Sequence, residues 1–85
     1  MLKIKIFNTL SCSVKTLVIG VDELIKMIEE AIESEKGSQE RYRRAAQEAR
    51  DPETKVFFEQ LVRDEERHEQ LLKERLKTLK LLRGF

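Results

Sequence analysis

One break governs what this chain can become: Asp51-Pro52-Glu53, set between two long stretches of helical periodicity. Asp is a favoured helix N-cap, and Pro is favoured at the first helical position, where no backbone N–H is required. A helix cannot run undisturbed through that proline. One helix therefore ends near Arg50 and another begins almost at once, with predicted spans of about 22–50 and 52–80. So short a link forces the two helices to pack antiparallel.

The periodicity on each side is that of an amphipathic helix. Val21, Ile25, Ile28, Ile32, Glu35, Gln39, Tyr42, Ala46 and Ala49 follow alternating spacings of four and three, which places them on one seam. Leu24 and Ala45 widen the apolar stripe, and Asp22 is the expected N-cap. Beyond the corner, Phe58, Leu61, Glu65, His68, Leu72, Arg75 and Leu79 form a second seam, flanked by Phe57, Val62, Leu71 and Leu76. Glu40–Arg44, Glu59–Arg63 and Glu69–Lys73 are spaced for exposed pairs within a helix, worth about 0.2–0.5 kcal/mol each. Gly84 is expected just past the second helix. Two helices alone cannot cover stripes this wide. The simplest closed solution is a two-fold homodimer forming a four-helix bundle, or a ring of such dimers.

The fold class expected is therefore all-α: residues 21–85 form the hairpin, and residues 1–20 form a poorly defined N-terminal extension. Leu2-Lys3-Ile4-Lys5-Ile6 and Val14–Ile19 read weakly as strands. Three readings of this extension stay open: a flexible segment, a start-site artefact before a natural beginning near Val21, or a strand pair over the helices or a partner. Lys5, Asn8, Ser11, Ser13 and Lys15 interrupt it too often for a membrane span, and it lacks the layout of a signal peptide. The single cysteine, Cys12, excludes an internal disulfide and a cysteine-built metal centre. It is expected to be a passive thiol, and a cytoplasmic setting is the default. Charges of both signs are interspersed along the helices, so no nucleic-acid surface is expected.

Three polar residues break the apolar seams: Glu35, Glu65 and His68. Counted from Asp51, Glu35 is sixteen residues back, while Glu65 and His68 are fourteen and seventeen forward. At about 1.5 Å per residue, all three lie about 21–26 Å from the corner. Antiparallel helices thus set Glu35 level with the gap between Glu65 and His68. Burying ionised carboxylates without partners costs several kcal/mol each. A shared metal removes that cost, and two carboxylates with a neutral imidazole suit iron or manganese and tolerate zinc. One hairpin offers three ligands. A two-fold dimer offers two Glu35 and two Glu65-x-x-His68 pairs, the set that carboxylate bundles use to hold two irons. The structural alternative is an interior His68 hydrogen-bonded to Glu35.

Neighbouring residues carry weaker signals. Gln39 either orients a ligand carboxylate or marks helix register. Tyr42 is either core with a satisfied hydroxyl or a hydrogen-bond partner or electron donor for the site. Gly37 costs about 1 kcal/mol of helix stability against Ala, which suggests close approach of a partner backbone. Glu66 and Glu69 are expected to be solvated.

The stretch Ala31-Ile32-Glu33-Ser34-Glu35-Lys36-Gly37, with Tyr42, Asp51-Pro52-Glu53, Phe58 and Glu65-Glu66-Arg67-His68, resembles the rubrerythrin branch of the ferritin-like superfamily over about residues 22–80. The single hairpin is most similar to encapsulated ferritins, which supply half a site per chain. The resemblance implies metal ligands at Glu35, Glu65 and His68, and the site tyrosine at Tyr42. It implies two irons per dimer and oxidation of Fe(II) with O2 or peroxide, for iron storage or oxidative-stress defence. It also implies a cytoplasmic homo-oligomer, free or inside a protein nanocompartment. Ser34 and Arg41 stand where that branch often carries an acid and an aromatic, so no accessory iron-uptake site is expected. Two readings compete with the enzyme: a metal carrier, and a helical dimerisation module whose polar seam residues lock register.

Overall fold

A computed structural model describes residues 19–84 as two antiparallel helices joined by a tight corner. Helix α1 runs Val21–Glu48 and helix α2 runs Pro52–Arg83. The expectations for residues 1–18, including Cys12, fall outside the described residues, as does Phe85. The all-helical hairpin matches the reading from sequence, and no strand occurs among the described residues. None of the described helices is long and apolar enough to cross a membrane.

The corner forms as its chemistry dictates. Ala49 leaves α1 in an extended conformation, while its N–H still closes a bond to the Ala45 carbonyl at 2.9 Å. Asp51 caps α2: its side chain accepts from the Thr54 N–H at 2.9 Å, with Pro52 in the first turn. That bond holds the Asp51 carboxyl below its ordinary range. The start of α1 differs from expectation. Gly20 is its N-cap, no side chain caps it, and Asp22 lies inside the first turn, 3.3 Å from Arg83 at the far end of α2. Helix α2 runs to Arg83, about one turn past its predicted end, and Gly84 follows it as expected.

Every predicted seam residue of α1 is buried or half-buried. The seam of α2 is rotated from its predicted phase. Its inward line is Phe58, Val62, Glu65, Glu69, Leu72, Leu76 and Leu79, while His68 and Arg75 are exposed and Leu61 stands at the edge. Both lines share Phe58, Glu65, Leu72 and Leu79. They differ in which of two adjacent residues fills each intervening half-turn, and contact with α1 makes that choice. Of the three predicted intrahelical pairs, Glu69–Lys73 forms at 2.6 Å. Glu59 instead approaches Lys55 and Arg63 bonds Gln60.

The rotation gives the hairpin two unlike sides. The back is laced across the groove by Arg43–Glu66 at 2.9 Å and Lys80–Glu29 at 3.6 Å. Lys55 adds a hydrogen bond to the Ala46 carbonyl at 3.2 Å. The front carries Leu24, Ile28, Ala31, Tyr42 and Ala45 of α1 beside Phe57, Leu61 and Leu71 of α2, by the helical periodicity that aligns each set. Tyr42 and Phe58 lie 6.1 Å apart across the groove, and Phe57 meets Phe58 edge-on at 5.3 Å. Phe57 and Leu71 remain more than half exposed. The interior of the pair is small: Ile25, Ile32, Ala46 and Val62, with Gln39.

Candidate metal centre

Glu35 sits midway along α1 and Glu65 and His68 midway along α2, one helical turn apart. The hairpin brings them together at the front of the groove. His68 Nδ1 lies 3.0 Å from Glu65 Oε1 and 3.4 Å from Glu35 Oε1. One ligand atom from each residue falls within 4.8 Å of the others. The carboxylates are recessed, with 24% and 19% of the Glu35 and Glu65 side chains exposed, whereas His68 is 54% exposed. The sequence expectation of a buried histidine is thus corrected: α2 turns His68 toward the open front.

The electrostatics are those of two acids too close to ionise independently. Sharing a proton with Glu65 raises the Glu35 carboxyl above its ordinary range, and burial raises it further, with His68 opposing. Glu65 is lowered, first because it accepts from Glu35, and also because it accepts from His68. His68 is raised, chiefly by its hydrogen bond to Glu65. The imidazole has one in-plane direction at Nδ1, and Glu65 occupies it. Glu35 Oε1 is consequently a buried oxygen with no hydrogen-bond donor. Leaving such an atom unsatisfied costs about 1–3 kcal/mol. A cation among the three residues would satisfy it, and their donor set of two carboxylate oxygens and one imidazole nitrogen fits a divalent transition metal.

The flanking candidates are placed differently. Tyr42 packs on Phe58 and makes no hydrogen bond to Glu35, Glu65 or His68. Gln39 touches no ligand carboxylate. Its Nε2 donates to the Glu65 backbone carbonyl at 3.4 Å and to Glu69 Oε1 at 2.6 Å. Within the hairpin, a Cβ at Gly37 would meet only the flexible Arg41 guanidinium, at 3.5 Å. Glu66 is half exposed and paired to Arg43. Glu69, expected in solvent, has only 13% of its side chain exposed and is lowered by Lys73 first and Gln39 second. Its signal in the sequence is the seven-residue spacing Val62, Glu69, Leu76, one place over from Leu61, His68, Arg75.

Residues 7–76 match the family model for rubrerythrin, a span that contains the corner and all three residues of the cluster. No curated protein and no solved structure matches the chain.

Proposed function

The chain belongs to the rubrerythrin family, and from that premise we propose that it is a di-iron carboxylate protein completed at a dimer interface, which oxidises Fe(II) with O2 or peroxide. The observation that carries this reading is Glu35 Oε1, recessed and undonated beside Glu65 and His68.

In this reading Glu35, Glu65 and His68 hold the metal, His68 through Nδ1, the nitrogen that faces both carboxylates. His68 must shed its proton to bind, and so must the Glu35–Glu65 pair. Iron, when bound, supplies the change between Fe(II) and Fe(III): two Fe(II) give two electrons, which with two protons take O2 to hydrogen peroxide or peroxide to water. Three ligands leave an ion short of the usual coordination number, and two copies together would offer four carboxylates and two imidazoles, the set with which carboxylate bundles hold two irons. The front face supports that partner, because Phe57, Leu61 and Leu71 lie on the same side of α2 as His68 while salt bridges and hydrogen bonds close the back. A two-fold axis through the front would bring both clusters together and cover both apolar faces at once.

A non-catalytic register lock is the second reading, and one observation favours it: His68 and Glu35 each pair with Glu65, so the three side chains support one another directly. Anaerobic Fe(II) titration separates the two. Saturation near two irons per dimer is expected for the proposal, and no binding refutes it. Admitting O2 then distinguishes an oxidase from a carrier, by whether iron oxidises faster than in buffer alone.

A further inference from the structure

Behind the metal cluster lies a second set of polar side chains that the proposed chemistry does not use. Gln39 is the buried polar residue of the described hairpin. It stands one helical turn after Glu35 and reaches across to α2, where its Nε2 donates to Glu69 Oε1 and to the carbonyl of Glu65 itself. Its Oε1 accepts from Arg43 at 3.3 Å, and Arg43 also donates to Glu66 at 2.9 Å. Lys73 holds Glu69 from the other side at 2.6 Å. The bonds run Lys73, Glu69, Gln39, Arg43, Glu66, and cross the groove twice.

We propose that Gln39 and Glu69 are positioning residues for the metal cluster: their bond fixes how far α2 is rotated about its axis, and with it how Glu65 and His68 face Glu35. This inference rests on the metal-binding reading above.

The Asp51 corner sets the two helices level but leaves the rotation of α2 open, and a seven-residue repeat does not choose between adjacent seam lines. The cluster itself works against the observed rotation, since Glu35 and Glu65 repel whenever both are ionised. A buried amide is different. It must keep its partners or lose its solvation, and Gln39 finds Glu69, the Glu65 carbonyl and Arg43 together at this rotation of α2. A single buried polar residue fixing helix register is well attested. Gln39 follows Glu35 by four residues and Glu69 follows Glu65 by four. The strap and the cluster are therefore adjacent rungs, about 5–6 Å apart along rigid helices. Displacing one rung displaces the other.

The test measures Co(II) affinity and the visible Co(II) spectrum of the full chain, with helicity by circular dichroism as the folding control. Gln39→Met keeps the volume and deletes the bonds, while Gln39→Glu sets a carboxylate against Glu69. Each is expected to weaken Co(II) binding by about tenfold or more and to alter the spectrum while the chain stays helical. Adding Glu69→Gln to Gln39→Glu rebuilds the bond with donor and acceptor exchanged. That double variant should return close to the parent, short of the roughly tenfold loss that removing such an outer contact causes. Parental affinity and spectrum in helical Gln39→Met overturn the proposal, and so does a Gln39→Glu defect that Glu69→Gln leaves unrepaired. If Gln39→Glu fails to fold, the Gln39→Met comparison decides alone. A parent chain that binds no Co(II) refutes the metal reading instead. The rotation of α2 is then judged by the nuclear Overhauser contact between the His68 ring and the Glu35 side chain. It is expected in the parent and the double variant and lost in Gln39→Glu, and its persistence there overturns the proposal.

Discussion

Glu35 Oε1 and His68 Nδ1 lie 3.4 Å apart, from opposite sides of the Asp51 corner, without forming a hydrogen bond. The approach is close because the antiparallel helices set the two residues level, and it is unbonded because His68 directs Nδ1 at Glu65. An acid and a base in contact leave one buried oxygen over, which a cation would satisfy.

In the proposed reading, His68→Ala and Glu35→Gln each remove one ligand from a set that a partner copy would complete. Both should abolish tight Fe(II) binding in anaerobic titration, and with it any oxidation above the buffer rate. Neither should lower helicity measurably, since His68 is more than half exposed and Glu35 sits at the groove edge. Undiminished binding in His68→Ala would remove the histidine from the site.

The protonation of His68 sets a pH dependence of definite sign. Its folded pKa is raised above the ordinary 6.5, so its contribution to metal-free stability is fully present below 6.5 and is lost as pH rises through the folded value. Metal binding has the opposite sense and weakens as pH falls through that raised value, with the loss beginning above 6.5. Imidazole resonances of the metal-free chain should titrate with a midpoint above 6.5, and Glu65→Gln should move it down. A parental midpoint at or below the ordinary value would contradict the contact with Glu65.

Phe57→Glu and Leu71→Glu probe the partner face. These side chains are 57% and 60% exposed, so a charge there costs the isolated hairpin little, but it would be buried at a front-to-front interface. Sedimentation should show dimer in the parent and monomer in the variants, with iron binding lost alongside. A parent that sediments as a monomer when iron is bound would sink the shared site.

Gly37→Ala should stabilise the chain by about 0.5–1 kcal/mol, the helical cost of glycine at a site where the new methyl meets only a flexible guanidinium. Thermal unfolding reads the gain, and iron stoichiometry should not change. A loss of stability would mean that a partner backbone does approach Gly37.

Asp51→Ala deletes the cap on α2 and should cost about 1 kcal/mol, while Asp51→Ser should retain most of it. Because the cap lowers the Asp51 pKa, its contribution is present above the ordinary 3.8 and fades as pH falls through the folded value. Chemical denaturation near neutral pH and again in acid should therefore show the Asp51→Ala deficit shrink.

Much of the hairpin was legible because local chemistry specifies it. Asp51 and Pro52 act on the backbone within a turn of themselves. The α1 seam was legible because Ile25, Ile32 and Ala46 leave one face apolar and the opposite face charged. The start of α1 was misread at Asp22, whose carboxylate turns away to Arg83, 61 residues along the chain.

The sequence by itself determined two helices, their antiparallel sense and the common height of Glu35, Glu65 and His68, since rise per residue and one corner suffice for that. Only the tertiary structure decided how far α2 is rotated about its own axis. Leu61 or Val62, His68 or Glu69, Arg75 or Leu76 satisfy a seven-residue repeat equally well, so periodicity is silent between them. The choice falls to bonds across the groove, Gln39 to Glu69 and Arg43 to Glu66, between residues 30 and 23 apart in the chain. Those bonds draw Glu69 inward and turn His68 to the open front, where a second copy would meet it.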